Sequence, residues 1–200
     1  MFHVRGLLCL LAFLPAHSTG APIAVSTMIK QTQGLLSLLR AKARPLLTTY
    51  LEQLGSPFSD PDFAMPELQL EGLPVAKISY AVWRHFSDEA RLASNYRAYT
   101  LYLAFLQLVL DDQQALGPSL GPGRLQEQLV SVRAQTEGLV SNLGSILAAM
   151  GHQKPEVHDP MTSESYDPTN FERKVRGYVI CREYVDWIKR TERDMMILSR

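Results

Sequence analysis

Four long stretches with helical periodicity, joined by links of very unequal length, constrain this 200-residue chain more than any other feature. Apolar residues recurring at steps of three, four and seven mark one face of an α-helix. Such a stripe runs through Ile29, Leu36, Leu39, Ala43, Leu46, Tyr50 and Leu54, predicting a helix over 27–54 that Gly55-Ser56-Pro57 stops. Pro45 inside it lacks an N–H and clashes with the preceding turn, so a kink is expected there. A second stripe, Leu92, Tyr96, Tyr99, Leu103, Leu106 and Leu110, ends near Asp112. Its start is open, because Ser79 and Ser87 are both suitable N-caps. A third, through Leu125, Leu129, Val132, Thr136, Leu139, Leu143, Ile146 and Met150, predicts a helix over 124–150 with Gly151 as C-cap. The fourth covers 170–198, with Ile180, Tyr184, Trp187, Thr191, Met195 and Leu198 as its apolar face. Thr169 and Glu172 have capping-box spacing at its start. Arg182, Glu183, Asp186, Lys189, Arg190 and Arg193 fall between the apolar positions and are assigned to the water side.

The links decide the topology. Each helix is on the order of 40 Å long at 1.5 Å per residue. An extended chain gains at most ~3.3–3.6 Å per residue, so the link over 113–123, roughly 11 residues, does not return comfortably along such a helix. The second and third helices are therefore antiparallel neighbours. The links over 55–78 and 151–168, both rich in proline, are long enough for overhand crossovers. Long-short-long defines an all-α, long-chain four-helix bundle, up-up-down-down with two crossover connections, the architecture of growth hormones and cytokines.

The N-terminus does not belong to that bundle. Residues 1–5 carry Arg5 and no acid, residues 6–14 are an unbroken apolar run, Pro15 ends it, and Ser18 and Gly20 are small. This pattern predicts a signal peptide over 1–20, cleaved before Ala21, with the four-helix domain over 21–200. The competing reading keeps the segment as a core helix. The run is roughly half the ~20 residues a bilayer span needs, and no second stretch is longer. The mature chain is thus expected to be secreted and extracellular, with no membrane insertion. Removing Cys9 with the signal leaves Cys181 alone, so no intrachain disulfide can form. Cys181 is either a buried inert thiol or an exposed one able to pair between chains.

No catalytic signature is present: no glycine-rich phosphate loop, no G-x-S-x-G, no H-E-x-x-H and no C-x-x-C. No cofactor or metal is implied. His85, His152 and His158 are scattered, and the cluster Asp60, Asp62, Glu67 and Glu71 falls in the first long link without a histidine partner; solvated side chains are the simpler reading. There are 20 basic and 20 acidic residues, so net charge gives no electrostatic case for nucleic acid. What remains is a bundle that presents helix faces to partners.

One local feature is out of place. Arg173, Lys174 and Arg176 crowd the first turns of the fourth helix, where the macrodipole is positive and each cation costs about 0.3–1 kcal/mol before screening. Phe171 lies three residues before Lys174, on the same side. Two readings fit this spacing equally: a binding face, or a staple of Phe171 onto the core beside solvated cations.

Phe171-Glu172-Arg173-Lys174, followed by Gly177, Glu183, Trp187, Arg190 and Asp194, resembles the fourth helix of ciliary neurotrophic factor and its relatives in the interleukin-6 family of cytokines. Trp83, Arg91-Leu92, Asn95, Ala98-Tyr99 and Asp112-Gln113 resemble the second helix of that family, and residues 55–63 and 66–70 its first link. The resemblance spans nearly the whole mature chain and is weakest in the first and third helices. It implies a secreted, non-enzymatic, monomeric cytokine that cross-links receptor chains and so activates JAK/STAT signalling. Phe171 and Lys174 would engage the leukaemia inhibitory factor receptor. Arg190 falls on the surface implied for the ciliary neurotrophic factor receptor α-subunit. Exposed faces of the first and third helices would meet glycoprotein 130. The rival class is a secreted, exchangeable lipid-binding helical protein. It is disfavoured because lysines are few and the stripes suit helix-on-helix packing.

Overall fold

The computed structural model describes residues 24–117, 123–158 and 168–200. The signal segment, with Cys9, Pro15, Ser18 and Gly20, lies outside them, as does Ala21. The described residues form α1 (Val25–Leu54), a single turn α2 (Tyr80–Trp83), α3 (Asp88–Ala115), α4 (Arg124–Ala149) and α5 (Asn170–Leu198). Both candidate serines are used. The Ser79 hydroxyl accepts from the Val82 amide and starts α2; the Ser87 hydroxyl accepts from Ala90 and starts α3. Thr169 and Glu172 make the reciprocal capping box of α5. Gly151 stands just beyond α4 at φ 81°, a left-handed conformation that closes the helix end without a Cβ penalty. α1 passes through Pro45 as one helix. Pro45 and Ala41 are both exposed, so the Ala41 carbonyl that loses its helical donor faces water.

α1 packs on α4 and α5, and α3 packs on the same two. In each of these four pairs the helices run antiparallel. Gln33 of α1 donates to the Met195 carbonyl near the end of α5, while Tyr50, near the end of α1, reaches Lys174 at the start of α5. Arg91 pairs with Asp194, and Arg176 with Asp112. Lys42 bonds Ser131, and a Cβ on Gly138 would touch Leu35. α1 and α3 therefore run parallel to each other and antiparallel to α4 and α5, which is the up-up-down-down order expected from the link lengths.

The stripes of α1, α4 and α5 are buried nearly as read, with Met150 and Leu198 half-exposed at the ends. In α3 the stripe is wider than read: Tyr102, Phe105 and Val109 are buried as well, while Leu103 is half-buried. α3 faces two helices and is also crossed by the first link, where Tyr102 donates to the Pro74 carbonyl at 2.8 Å. Arg182 is not on the water side. Its guanidinium donates to the Met65 and Leu68 carbonyls at 2.6 and 2.8 Å, pinning that link to α5, while Phe58 and Leu73 from the link enter the core. Cys181 is buried and free.

Candidate functional site

The positions that distinguish this chain lie along α5, at two ends separated by about 28 Å from Phe171 to Arg190 at 1.5 Å per residue. At the N-terminal end Phe171 is 56% exposed. Its ring stands 5.9 Å from that of Phe58, which leads inward through Phe63 to Tyr178 at centroid separations of 5.0 and 5.1 Å. Phe171 therefore rests on the core's aromatic edge through the buried Phe58 while more than half of it stays exposed. Lys174 is half-buried and forms no ion pair with any described residue. Its carbonyl accepts the Tyr50 hydroxyl at 3.1 Å.

The other two cations of that turn behave differently. Arg176 grips the buried Asp112 carboxylate through Nε and Nη2, at 3.0 and 2.7 Å, and Arg173 adds a third bond at 3.0 Å. They are not a solvated face. Their partner is the end of α3, out of view of any local reading. Of the three cations, Lys174 is the one left to present its charge outward beside Phe171.

At the C-terminal half of α5 the residues that resemble the family form one buried polar network. Asp194, fully buried, accepts from Arg91 at 2.9 Å, from the Trp83 indole at 2.7 Å and from the Asn95 amide at 2.9 Å. The Asn95 carbonyl oxygen accepts from the Trp187 indole at 3.1 Å and from Thr191 at 2.8 Å. Each side chain of the network makes at least one of these bonds, and the Asp194 carboxylate takes three, as a buried charge requires, while Arg91 Nε has no hydrogen-bond partner among the described residues. The network ties α2 to α3 and α5. Much of the shared sequence pattern is therefore architecture.

Arg190 corrects the sequence reading. It was assigned to water, but it is only 5% exposed, with its guanidinium 4.4 Å above the Trp187 ring and 5.9 Å from Phe86. It also donates to the Ser94 hydroxyl. Burial lowers its pKa, and the nearby Asp194 charge opposes that. Trp187 is its i−3 neighbour on α5, but Phe86 and Ser94, which complete its burial, come from outside that helix, where periodicity does not reach. The groups that face outward at this end are Tyr80, 70% exposed, and Arg193, whose guanidinium lies 5.6 Å from the Trp83 ring. Arg193 keeps the water-side place that its spacing gives it, while periodicity does not mark Tyr80. The Tyr80-x-x-Trp83 spacing, which stacks the two rings at 5.8 Å, was the available signal for Tyr80.

Asp60, Asp62, Glu67 and Glu71 are exposed along the first link. No group of three histidine, cysteine, aspartate or glutamate side chains among the described residues is arranged to hold a metal. No described helix is long and apolar enough to cross a membrane. What α5 offers is two outward surfaces on a rigid bundle, one aromatic and cationic at its start, one aromatic and cationic near its end.

A long-chain four-helix bundle with such surfaces defines a helical cytokine. The plethodontid receptivity factor family matches residues 21–200. Cardiotrophin-2 of Mus musculus is 41% identical over 193 residues, covering 96% of this chain and 94% of the relative. Cardiotrophin-1 of Mus musculus is 31% identical over 192 residues, covering 91% and 92%. Ciliary neurotrophic factor of Mus musculus is 25% identical over 132 residues, or 65% of each chain. The chain belongs to the interleukin-6 family of cytokines, in the group with the plethodontid receptivity factor and the cardiotrophins.

Proposed function

We propose that the protein is a secreted, monomeric cytokine, released by cleavage before Ala21, that catalyses nothing and cross-links receptor chains to activate JAK/STAT signalling. Phe171 and Lys174 engage the leukaemia inhibitory factor receptor. The surface around Tyr80, Trp83, Arg193 and the Trp187–Arg190 stack engages the ciliary neurotrophic factor receptor α-subunit, with Arg190 holding the indole in place. Outward faces of α1 and α4 engage glycoprotein 130. Support of neuronal survival and differentiation is the expected outcome. The observation that carries this reading is a large exposed aromatic, Phe171, three residues before a cation, Lys174, that forms no ion pair among the described residues, at a helix start where stability alone disfavours positive charge.

The test is alanine substitution at Phe171 and Lys174, reading binding to the leukaemia inhibitory factor receptor ectodomain beside thermal melting. Anchors of this kind cost about 2 kcal/mol or more on truncation, roughly thirtyfold in affinity. Lys174→Ala is expected to melt no lower than the native protein, because a cation leaves a positive helix end. Normal binding by Lys174→Ala would refute the assignment. Liposome flotation of the intact protein separates this reading from a lipid-binding one.

A further inference from the structure

α3 and α5 each carry a charge that their own macrodipole disfavours. Asp112 lies in the last turn of α3, where the helix end is already negative, and Arg173 and Arg176 lie in the first turns of α5, where it is already positive. Because the two helices are antiparallel, these ends stand side by side, and the three residues make three charge-assisted bonds of 2.7–3.0 Å around a carboxylate that is 1% exposed. A planar guanidinium gripping a carboxylate through two nitrogens fixes orientation as well as distance. Between Arg173 and Arg176 in the chain sits Lys174, whose carbonyl the Tyr50 hydroxyl holds from α1. Phe171 lies two residues before Arg173. The first two turns of α5 are thus held from two other helices, on the faces that Phe171 and Lys174 do not use.

We propose that Asp112, through Arg173 and Arg176, is a positioning residue for receptor recognition. It sets the placement of the first turns of α5, so that Phe171 and Lys174 are presented together, without touching the receptor itself. This rests on the assignment of Phe171 and Lys174 to a receptor contact made above. Disfavoured charges on both helix ends make the pairing directional: neither end is well served alone, and the pair forms only when α3 and α5 are in register.

The test is a binding cycle on the full secreted chain with Asp112→Asn, Lys174→Ala and the double variant. It is read against the leukaemia inhibitory factor receptor ectodomain and, in parallel, against glycoprotein 130. Asp112→Asn should weaken the first roughly tenfold and leave the second within about twofold. It should also speed amide exchange over residues 171–176 without changing it over 180–195. The double variant should lose clearly less than the sum of the two single losses, because Asp112 acts in part through the placement of Lys174 and in part through Phe171. If Asp112→Asn does not fold, Arg173→Gln removes one of the three bonds and takes its place in the cycle. Native binding by the folded Asp112 or Arg173 variant, while Lys174→Ala is impaired, overturns the positioning role and leaves the receptor contact standing. Equal losses on both receptor chains, or fully additive losses in the double variant, reduce the clamp to general stability and also overturn it. Native binding by Lys174→Ala overturns the contact and the positioning role together.

Discussion

Replacing Gly177 by alanine separates local propensity from tertiary packing at the start of α5. On propensity alone the change should stabilise, since alanine gains about 1 kcal/mol over glycine inside a helix. The packing around Gly177 reverses the sign. A Cβ there would overlap the Tyr50 hydroxyl oxygen and lie 2.7 Å from the ring Cζ and 3.1 Å from Cε2. Tyr50 is fully buried, so the ring cannot swing into water without opening the core. Displacing it also breaks its bond to the Lys174 carbonyl. Overpacking costs about 1–3 kcal/mol and a broken bond to a buried hydroxyl about 1–3 kcal/mol. Against the propensity gain, the net loss is about 1–5 kcal/mol. For a chain of this size that lowers Tm by roughly 2–20 °C. Calorimetry or a circular-dichroism melt measures it directly. Tyr50→Phe combined with Gly177→Ala should recover part of the loss, since the hydroxyl is gone while the ring carbon is still too close. The two changes should therefore couple by about 0.5 kcal/mol or more. A Gly177→Ala protein that melts at or above the native temperature would refute this account of why glycine stands there.

The remaining predictions concern the core and the chain's processing. Asp194→Ala leaves the Arg91 guanidinium buried without its carboxylate and should cost about 3–5 kcal/mol in a denaturant titration; a cost under about 1 kcal/mol would mean the network is solvated. Burial pushes the Cys181 thiol from 9.0 up to about 12 and raises Tyr50, Tyr99, Tyr102 and Tyr184 above 10.0, so the native state holds protons that the unfolded chain releases. Stability is then fully present below about pH 9 and falls as pH climbs toward 12; a denaturation midpoint unchanged between about pH 8 and pH 11 would contradict that sign. N-terminal sequencing of the secreted protein should begin near Ala21, and recovery of Met1 from the medium would rule out cleavage.

What the sequence alone determined is what depends on neighbours along the chain. Helix starts were legible because a cap is a contact over three residues: Thr169 with Glu172, Ser87 with Ala90, Ser79 with Val82. Topology was legible because helix rise and chain reach leave a short link no choice but to join antiparallel neighbours. The buried stripes of α1 and α4 followed from a period, and Phe171 and Lys174 stood out because their turn opposes a helix dipole. Only the tertiary structure decided which charges are buried. Asp112 meets Arg173 and Arg176 across 61 and 64 residues, and Asp194 meets Asn95 and Arg91 across 99 and 103. The same holds for Arg190 against Phe86 and Ser94, and for Gly177 yielding space to Tyr50. Periodicity places a charged residue on the polar face of its own helix. Whether that face meets water or the end of another helix is set by partners so distant in sequence that no spacing rule reaches them.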